Sequence, residues 1–273
     1  MPVINTNVNA LFAQTALRVN NRNLSSAMEQ LSTGSRINSA KDDAAGVSIA
    51  STMTAQIRGL GQAVKNANDG ISLLQTAEGA MVEQTNMLQR MRELAVQAST
   101  DTLSSTQKGY LQDEFAALAD QIDKIGSQTQ WNGMTILDGK KTDYAIGVGS
   151  NGTETVTVSI ADMSSLKLNT TNAIGGPGAN NNPSNAIVSI EAALKSVNES
   201  RSAIGAGINR LTYTADNLNN VIQNATASRS QIVDTDYATA TTQLARAQII
   251  QQAATAMLAQ ANQSPQSVLA LLK

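Results

Sequence analysis

The chain has no histidine and no cysteine among its 273 residues. That removes imidazole and thiolate chemistry, both as catalysis and as metal ligation. Carboxylates, guanidiniums and amides remain. Asp42-Asp43 is one candidate, since adjacent carboxylates can hold a hard cation or share acid–base work. No third ligand or converging partner stands near it, so the pair reads as a helix cap and hinge. Gly205-Ala206-Gly207 has no lysine after it and no strand before it, so it is not a phosphate loop; close helix approach explains it better. Arg90, Arg92 and Glu93 fall within one helical heptad, where charges ordinarily line a solvated face. No cofactor is expected.

The elements that would position such groups are long helices. Stepping by three and four through 187–232 gives Ile187, Ile190, Leu194, Val197, Arg201, Ile204, Ile208, Leu211, Ala215, Leu218, Ile222, Ala225, Arg229 and Ile232. This heptad seam holds without a slip or a proline and predicts one helix of roughly 65–70 Å. Its flanks, such as Ala186, Ala193 and Gly207, are small and neutral, which favours a multi-helix bundle over a free two-stranded coil. A matching seam runs from Ile57 through Leu60, Val64, Ala67, Ile71, Leu74, Glu78, Met81, Thr85, Leu88 and Arg92 to Ala95. The two are expected to pack together, and Gly59, Gly61, Gly70 and Gly79 inside the second each cost about 1 kcal/mol that packing must offset.

Around these seams, Leu17, Leu24 and Leu31 mark an amphipathic helix ending near Thr33-Gly34. A turn at 99–105 leads to a helix over 106–125 that Gly126 stops. Trp131-Asn132-Gly133-Met134 reads as a tight turn. Tyr144, Ile146, Val148 and Val156, Val158, Ile160 alternate about Asn151-Gly152 as a β-hairpin. The 169–184 stretch, rich in asparagine, glycine and proline, reads as an exposed loop, and Pro183-Ser184 starts the long helix. A last helix carries Ala240, Leu244, Ala247, Gln251, Ala254, Leu258 and Ala261 and is expected to end before Pro265. The fold class is therefore mainly α: a long antiparallel bundle with one small β-hairpin region and the two end helices paired.

Aromatic content of 3% is poor material for a globular enzyme core, and a net charge of -2 gives no general grip on nucleic acid or an anionic membrane. There is no run of 18 apolar residues, and 1–16 lacks the basic and apolar regions of a cleaved signal, so if the protein leaves the cell it is expected to do so by a route without one. The end helices are unusual: 1–28 holds only Arg18 and Arg22, and 238–272 only Arg246. Their polar faces are Gln, Asn, Thr and Ser. Such helices suit contact with many neighbours, and both ends are expected to be partly disordered until copies associate. Contacts of that kind that do not close on themselves give a filament.

Several stretches carry a resemblance: Met1-Pro2-Val3-Ile4-Asn5-Thr6-Asn7; Leu31-Ser32-Thr33-Gly34-Ser35-Arg36-Ile37-Asn38 running into Lys41-Asp42-Asp43-Ala44-Ala45-Gly46; Gln75-Thr76-Ala77-Glu78-Gly79-Ala80; Leu88 through Gln97; Asp236-Tyr237-Ala238-Thr239; and Arg246 through Gln263. Over roughly the first 140 and last 90 residues the chain resembles bacterial flagellin. The resemblance implies a self-assembling filament subunit for swimming, with an inner domain of 1–43 plus 235–273. A middle helical-bundle domain of 44–234 would hold the hairpin at about 134–165 and the 169–184 loop. It implies a short form without large variable outer domains, located outside the cell. Subunit packing would fall on Leu17, Leu24, Leu31, Leu244, Ala247, Ala254, Leu258 and Ala261. Implied partners are further copies, a flagellar export chaperone, filament cap and junction proteins, and a host Toll-like receptor. The receptor would contact Leu88, Gln89, Arg90, Glu93, Leu94, Gln97 and Glu114, with Arg90, Leu94 and Glu114 foremost. Two other readings stand beside it, a hook–filament junction protein and a secreted coiled-coil protein. The metalloprotease motif of some flagellins needs histidine, which this chain lacks.

Overall fold

The computed structural model describes residues 7–164, 168, 174 and 182–270, with side chains through 263. Among the described residues five helices and two short hairpins follow one another: α1 (Val8–Thr33), α2 (Ala44–Ala98), α3 (Ser105–Gln128), β1 (Gln130–Trp131), β2 (Met134–Thr135), β3 (Asp143–Gly147), β4 (Thr155–Ser159), α4 (Pro183–Val233) and α5 (Tyr237–Ala270). They form two compact units, one of residues 1–55 and 224–273, the other of 56–223, with α2 and α4 running through both.

In the larger unit, α2 and α4 meet on a stripe rotated by one residue from the one their heptads predict. Leu60, Ala67, Leu74, Met81, Leu88 and Ala95 are buried as expected. The other buried column is the small flank, Ala63, Ala77, Met91 and Ala98, and not Val64, Ile71, Glu78 and Arg92. The long helix repeats this, with Ala186, Ala193 and Gly207 buried beside Ile190, Val197, Ile204 and Leu211, while Ile187, Leu194 and Ile208 are half-buried. Small residues give way to neighbours at the centre, and larger side chains fold over the edges. The charges in the seam then lie toward its edges. Glu78 meets Arg201 at 3.8 Å where both are half-buried, and Arg92 meets Glu191 at 3.1 Å on an exposed edge, which shows the two helices to be antiparallel.

The space left by the small positions is filled by a hairpin, not by a closer helix. β3 and β4 pair antiparallel with Ile146 opposite Val156 and Tyr144 opposite Val158. A Cβ at Gly70 would collide with the Ile146 side chain, and one at Gly207 would lie 2.9 Å from Val158. These glycines are therefore seats for hairpin side chains. α3 starts on a reciprocal capping box between Ser104 and Gln107 and runs through Gly126 instead of stopping there. Gly126 is buried where Met163 passes, and a Cβ would stand 3.3 Å from its carbonyl oxygen, so the glycine serves packing and not termination. The loop expected over 169–184 lies outside the described residues apart from Ile174 and 182–184.

In the smaller unit, α1 ends on Gly34 at φ 71°, whose N–H closes onto the Gln30 carbonyl at 2.9 Å. The chain then turns into α2. Asp42 accepts the Ser39 and Asn38 N–H groups, and Asp43 accepts the Gly46 N–H at 2.9 Å, so the carboxylate pair caps a helix as its position suggests. The return crossover lies alongside. Ser35 and Asp234 form an antiparallel bridge, and the Arg36 N–H donates to the Val233 carbonyl at 2.6 Å. α5 then pairs with α1. It passes through Pro265 to Ala270 instead of ending before the proline.

Candidate assembly surface

The antiparallel α1/α5 pair brings together every residue expected to pack subunits. Leu17, Leu24, Leu31, Leu244, Ala254, Leu258 and Ala261 are half-buried and Ala247 is buried. Apolar burial alone is thin here, because three of these eight residues are alanine and the leucines are only half-buried. Side-chain amides add the rest. Asn20, buried, donates to the Ala247 carbonyl at 2.7 Å, Asn7 donates to the Ala261 carbonyl at 2.7 Å, and Gln251 donates to the Asn21 amide oxygen at 3.1 Å. The numbers of each pair sum to nearly the same value, so the rungs share one register.

The Asn7 rung explains how α5 tolerates its proline. Pro265 has no N–H for the carbonyl four residues earlier, and that carbonyl is Ala261. The Asn7 amide supplies the missing donor while its oxygen caps α1 by accepting the Ala10 N–H at 3.0 Å. One side chain thus closes a helix start and a proline gap together. The rungs also show how the two near-neutral end helices can pair within a single chain.

What the pairing leaves uncovered is a set of large apolar side chains on its outside. Phe12 is 71% exposed, Ile249 66%, Met257 65% and Leu11 60%, and these decide the matter, because no ordinary solvated helix pair presents four large apolar side chains this openly. A groove of about 720 Å³ runs between Phe12, Ala16, Ile250, Ala254, Met257 and Ala261. Sequence reasoning placed packing on the seam and missed this outer face. The signal was there in Leu11, Phe12, Ile249 and Met257, which are apolar residues off the heptad.

Elsewhere the structure separates the residues expected to meet a receptor. Gln89, Arg90, Glu93, Gln97 and Glu114 are exposed, and Arg90 joins Glu114 at 2.9 Å and Glu93 at 3.0 Å. These two carboxylates, Glu114 first, hold the guanidinium proton more tightly than usual. Leu88 and Leu94 are instead fully buried in the core of the larger unit and are not at a surface, because they point from α2 into the stripe shared with α3 and α4. Among the described residues no group of three or more His, Cys, Asp or Glu could hold a metal, and no helix is long and apolar enough to cross a membrane.

Comparison with known proteins gives this surface its context. The family described as bacterial flagellin N-terminal helical region matches residues 4–142, and the bacterial flagellin C-terminal helical region matches 187–272. A flagellin of Halalkalibacterium halodurans is 44% identical over 99% of this chain and 100% of its own. A flagellin of Bacillus subtilis is 42% identical over 99% of each. A solved flagellar hook-associated protein from Vibrio parahaemolyticus shares the fold at 14% identity, with a TM-score of 0.58 over 71% of this chain and 100% of that one. With both helical regions matched and full-length relatives above 40% identity, the chain belongs to the bacterial flagellin family, whose members are the structural subunits of the extracellular filament used for swimming.

Proposed function

We propose that copies of this chain assemble through the outer face of the α1/α5 pair, with 1–43 and 235–273 acting together as an inner domain and 44–234 as a middle domain. The observation that carries this reading is the open exposure of Leu11, Phe12, Ile249 and Met257, two of which, Phe12 and Met257, line one groove, on helices almost without charge. Covering these four side chains contributes on the order of 1–2 kcal/mol each, or roughly 4–8 kcal/mol per subunit. The role is mechanical and not enzymatic, in keeping with a chain that has neither histidine nor cysteine. A subunit of this kind would also meet a flagellar export chaperone and the filament's cap and junction proteins.

Seeded polymerisation tests the assembly reading. Phe12→Asp with Met257→Asp should keep the circular dichroism of the parent chain and give no filaments. Normal filaments from that variant would refute it. For host recognition the same reading assigns a Toll-like receptor surface to Gln89, Arg90, Glu93, Gln97 and Glu114, with Leu88 and Leu94 as the core beneath. Soluble chain should activate receptor-bearing cells and Arg90→Ala with Glu114→Ala should weaken the response. An undiminished response would count against it.

A further inference from the structure

On α1, Arg18 and Arg22 lie one turn apart on the face turned away from the Leu17, Leu24 and Leu31 seam. Both are exposed, and among the described residues neither has a carboxylate within ion-pair distance. Like charges at this spacing repel each other. No Asp or Glu occurs before Glu29, and α5 after Tyr237 has none at all, so Glu29 is the one carboxylate their own helix pair offers them. A groove of about 680 Å³ lies along this face, lined by Arg18 and Arg22 together with Asn21, Ser26, Glu29 and Lys41.

The opposite charge collects where α1 turns into α2 and α4 into α5. Asp42, Asp43, Asp234 and Asp236 are all exposed there. Each is held by neutral donors. Asp42 binds Ser39, Asp43 the Gly46 N–H, Asp234 the Ser230 hydroxyl and Asp236 the Thr239 hydroxyl. The two cations of this corner are occupied otherwise. Arg36 donates to the Ile232 carbonyl at 2.6 Å, and Lys41 stands 4.0 Å from Glu29. With Glu29 the corner counts five negative charges against two positive, a net of -3. Glu29 and Lys41 also line the arginine groove but stand opposite each other, and among the described residues neither arginine and none of the four aspartates makes an ion pair.

We propose that the Arg18/Arg22 face docks on the acidic corner of a second copy displaced along the helix pair, so that Asp42, Asp43, Asp234 and Asp236 of one subunit face the two arginines of the next. This rests on assembly through the α1/α5 pair and adds an electrostatic register to its apolar contact. Apolar helices rich in alanine slide easily past one another; two arginines against four carboxylates fix where they stop.

The test is a double-mutant cycle read as the critical concentration for seeded polymerisation, at low and at physiological salt. Arg18→Gln with Arg22→Gln removes one side. Asparagine at all four aspartates removes the other while keeping side-chain oxygens for the caps. Each should raise the critical concentration of the order of tenfold, and the combination should raise it no further than either alone. The wild type should polymerise less readily as salt rises, and the variants should lose that dependence. Arg18→Lys with Arg22→Lys, which touches only an exposed face, should stay near wild type, whereas the glutamate pair should block polymerisation. Costs that multiply in the combination, or lysine and glutamine variants that behave alike, would overturn the pairing. Failure of the wild type to grow from seeds would instead sink assembly itself.

Discussion

Asn7 makes the sharpest demand on the structure, because its one amide serves two purposes. Its oxygen caps α1, a contribution of about 1 kcal/mol, and its nitrogen serves the carbonyl that Pro265 leaves without a helical donor. An unserved buried carbonyl costs about 1–3 kcal/mol, and this one, half-buried, falls at the lower end. Asn7→Ala should therefore lose about 2 kcal/mol of α1/α5 pairing. Asn7→Asp keeps the capping oxygen but turns an acceptor toward the Ala261 carbonyl, so it should lose about 1 kcal/mol or somewhat more. Pro265→Ala restores the missing N–H. In that background the cost of Asn7→Asp should largely disappear, a coupling of about 1 kcal/mol. Deuterium exchange on assembled filaments reads this as a roughly five- to tenfold change in protection of the amides at 251–260. Equal cost of Asn7→Asp with and without Pro265 would show that the two residues do not work together and would refute the reasoning.

Other substitutions test separate parts of the account. Met91→Ala should lower the urea stability of the larger unit by about 2–4 kcal/mol while its neighbour Arg92→Ala stays within about 0.5 kcal/mol, which distinguishes the rotated stripe from the plain heptad seam. Gly70→Leu should destabilise the hairpin's seat by about 1–3 kcal/mol through collision with Ile146, visible as lost protection of the β3 and β4 amides. Asp138 accepts hydrogen bonds from the Thr135 hydroxyl and from Lys140, which hold its pKa down to about 2 against an ordinary 3.8. Its folded pKa is the lower one, so its contribution is full above about pH 4 and fades as the pH falls toward 2. An acid titration of Asp138→Asn followed by near-ultraviolet circular dichroism should be flatter than that of the parent in this window, and identical curves would contradict the assignment.

The amino-acid sequence carried the architecture because period is a property of residue order. The helix of Leu17, Leu24 and Leu31, the two long helices and the Asn132-Gly133 and Asn151-Gly152 turns all appear where their patterns put them. At Asn132 and Gly133 the backbone takes φ values of 48° and 77°, the left-handed pair that a two-residue hairpin needs. Rotation of a helix about its axis was not legible. A heptad pattern cannot tell which of two adjacent columns faces inward when one is bulky and the other is alanine and glycine, since that depends on what fills the space. Here Ile146 and Val158 fill it, from a distant stretch of chain. Pro265 and Gly126 misled for a related reason. Each has a local preference to end a helix, and each is outweighed by a long-range partner, the Asn7 amide in one case and the Met163 backbone in the other. The assembly surface was half legible, since its want of charge was plain from composition while its location off the seam was not.

The central claim is that the exposed apolar face of the α1/α5 pair becomes interior when copies stack. Cryo-electron microscopy of filaments grown from seeds measures this directly. The account requires a helical polymer in which Leu11, Phe12, Ile249 and Met257 are covered by neighbouring subunits, whereas a filament that leaves them facing solvent, or a chain that stays monomeric beside its seeds, would contradict it.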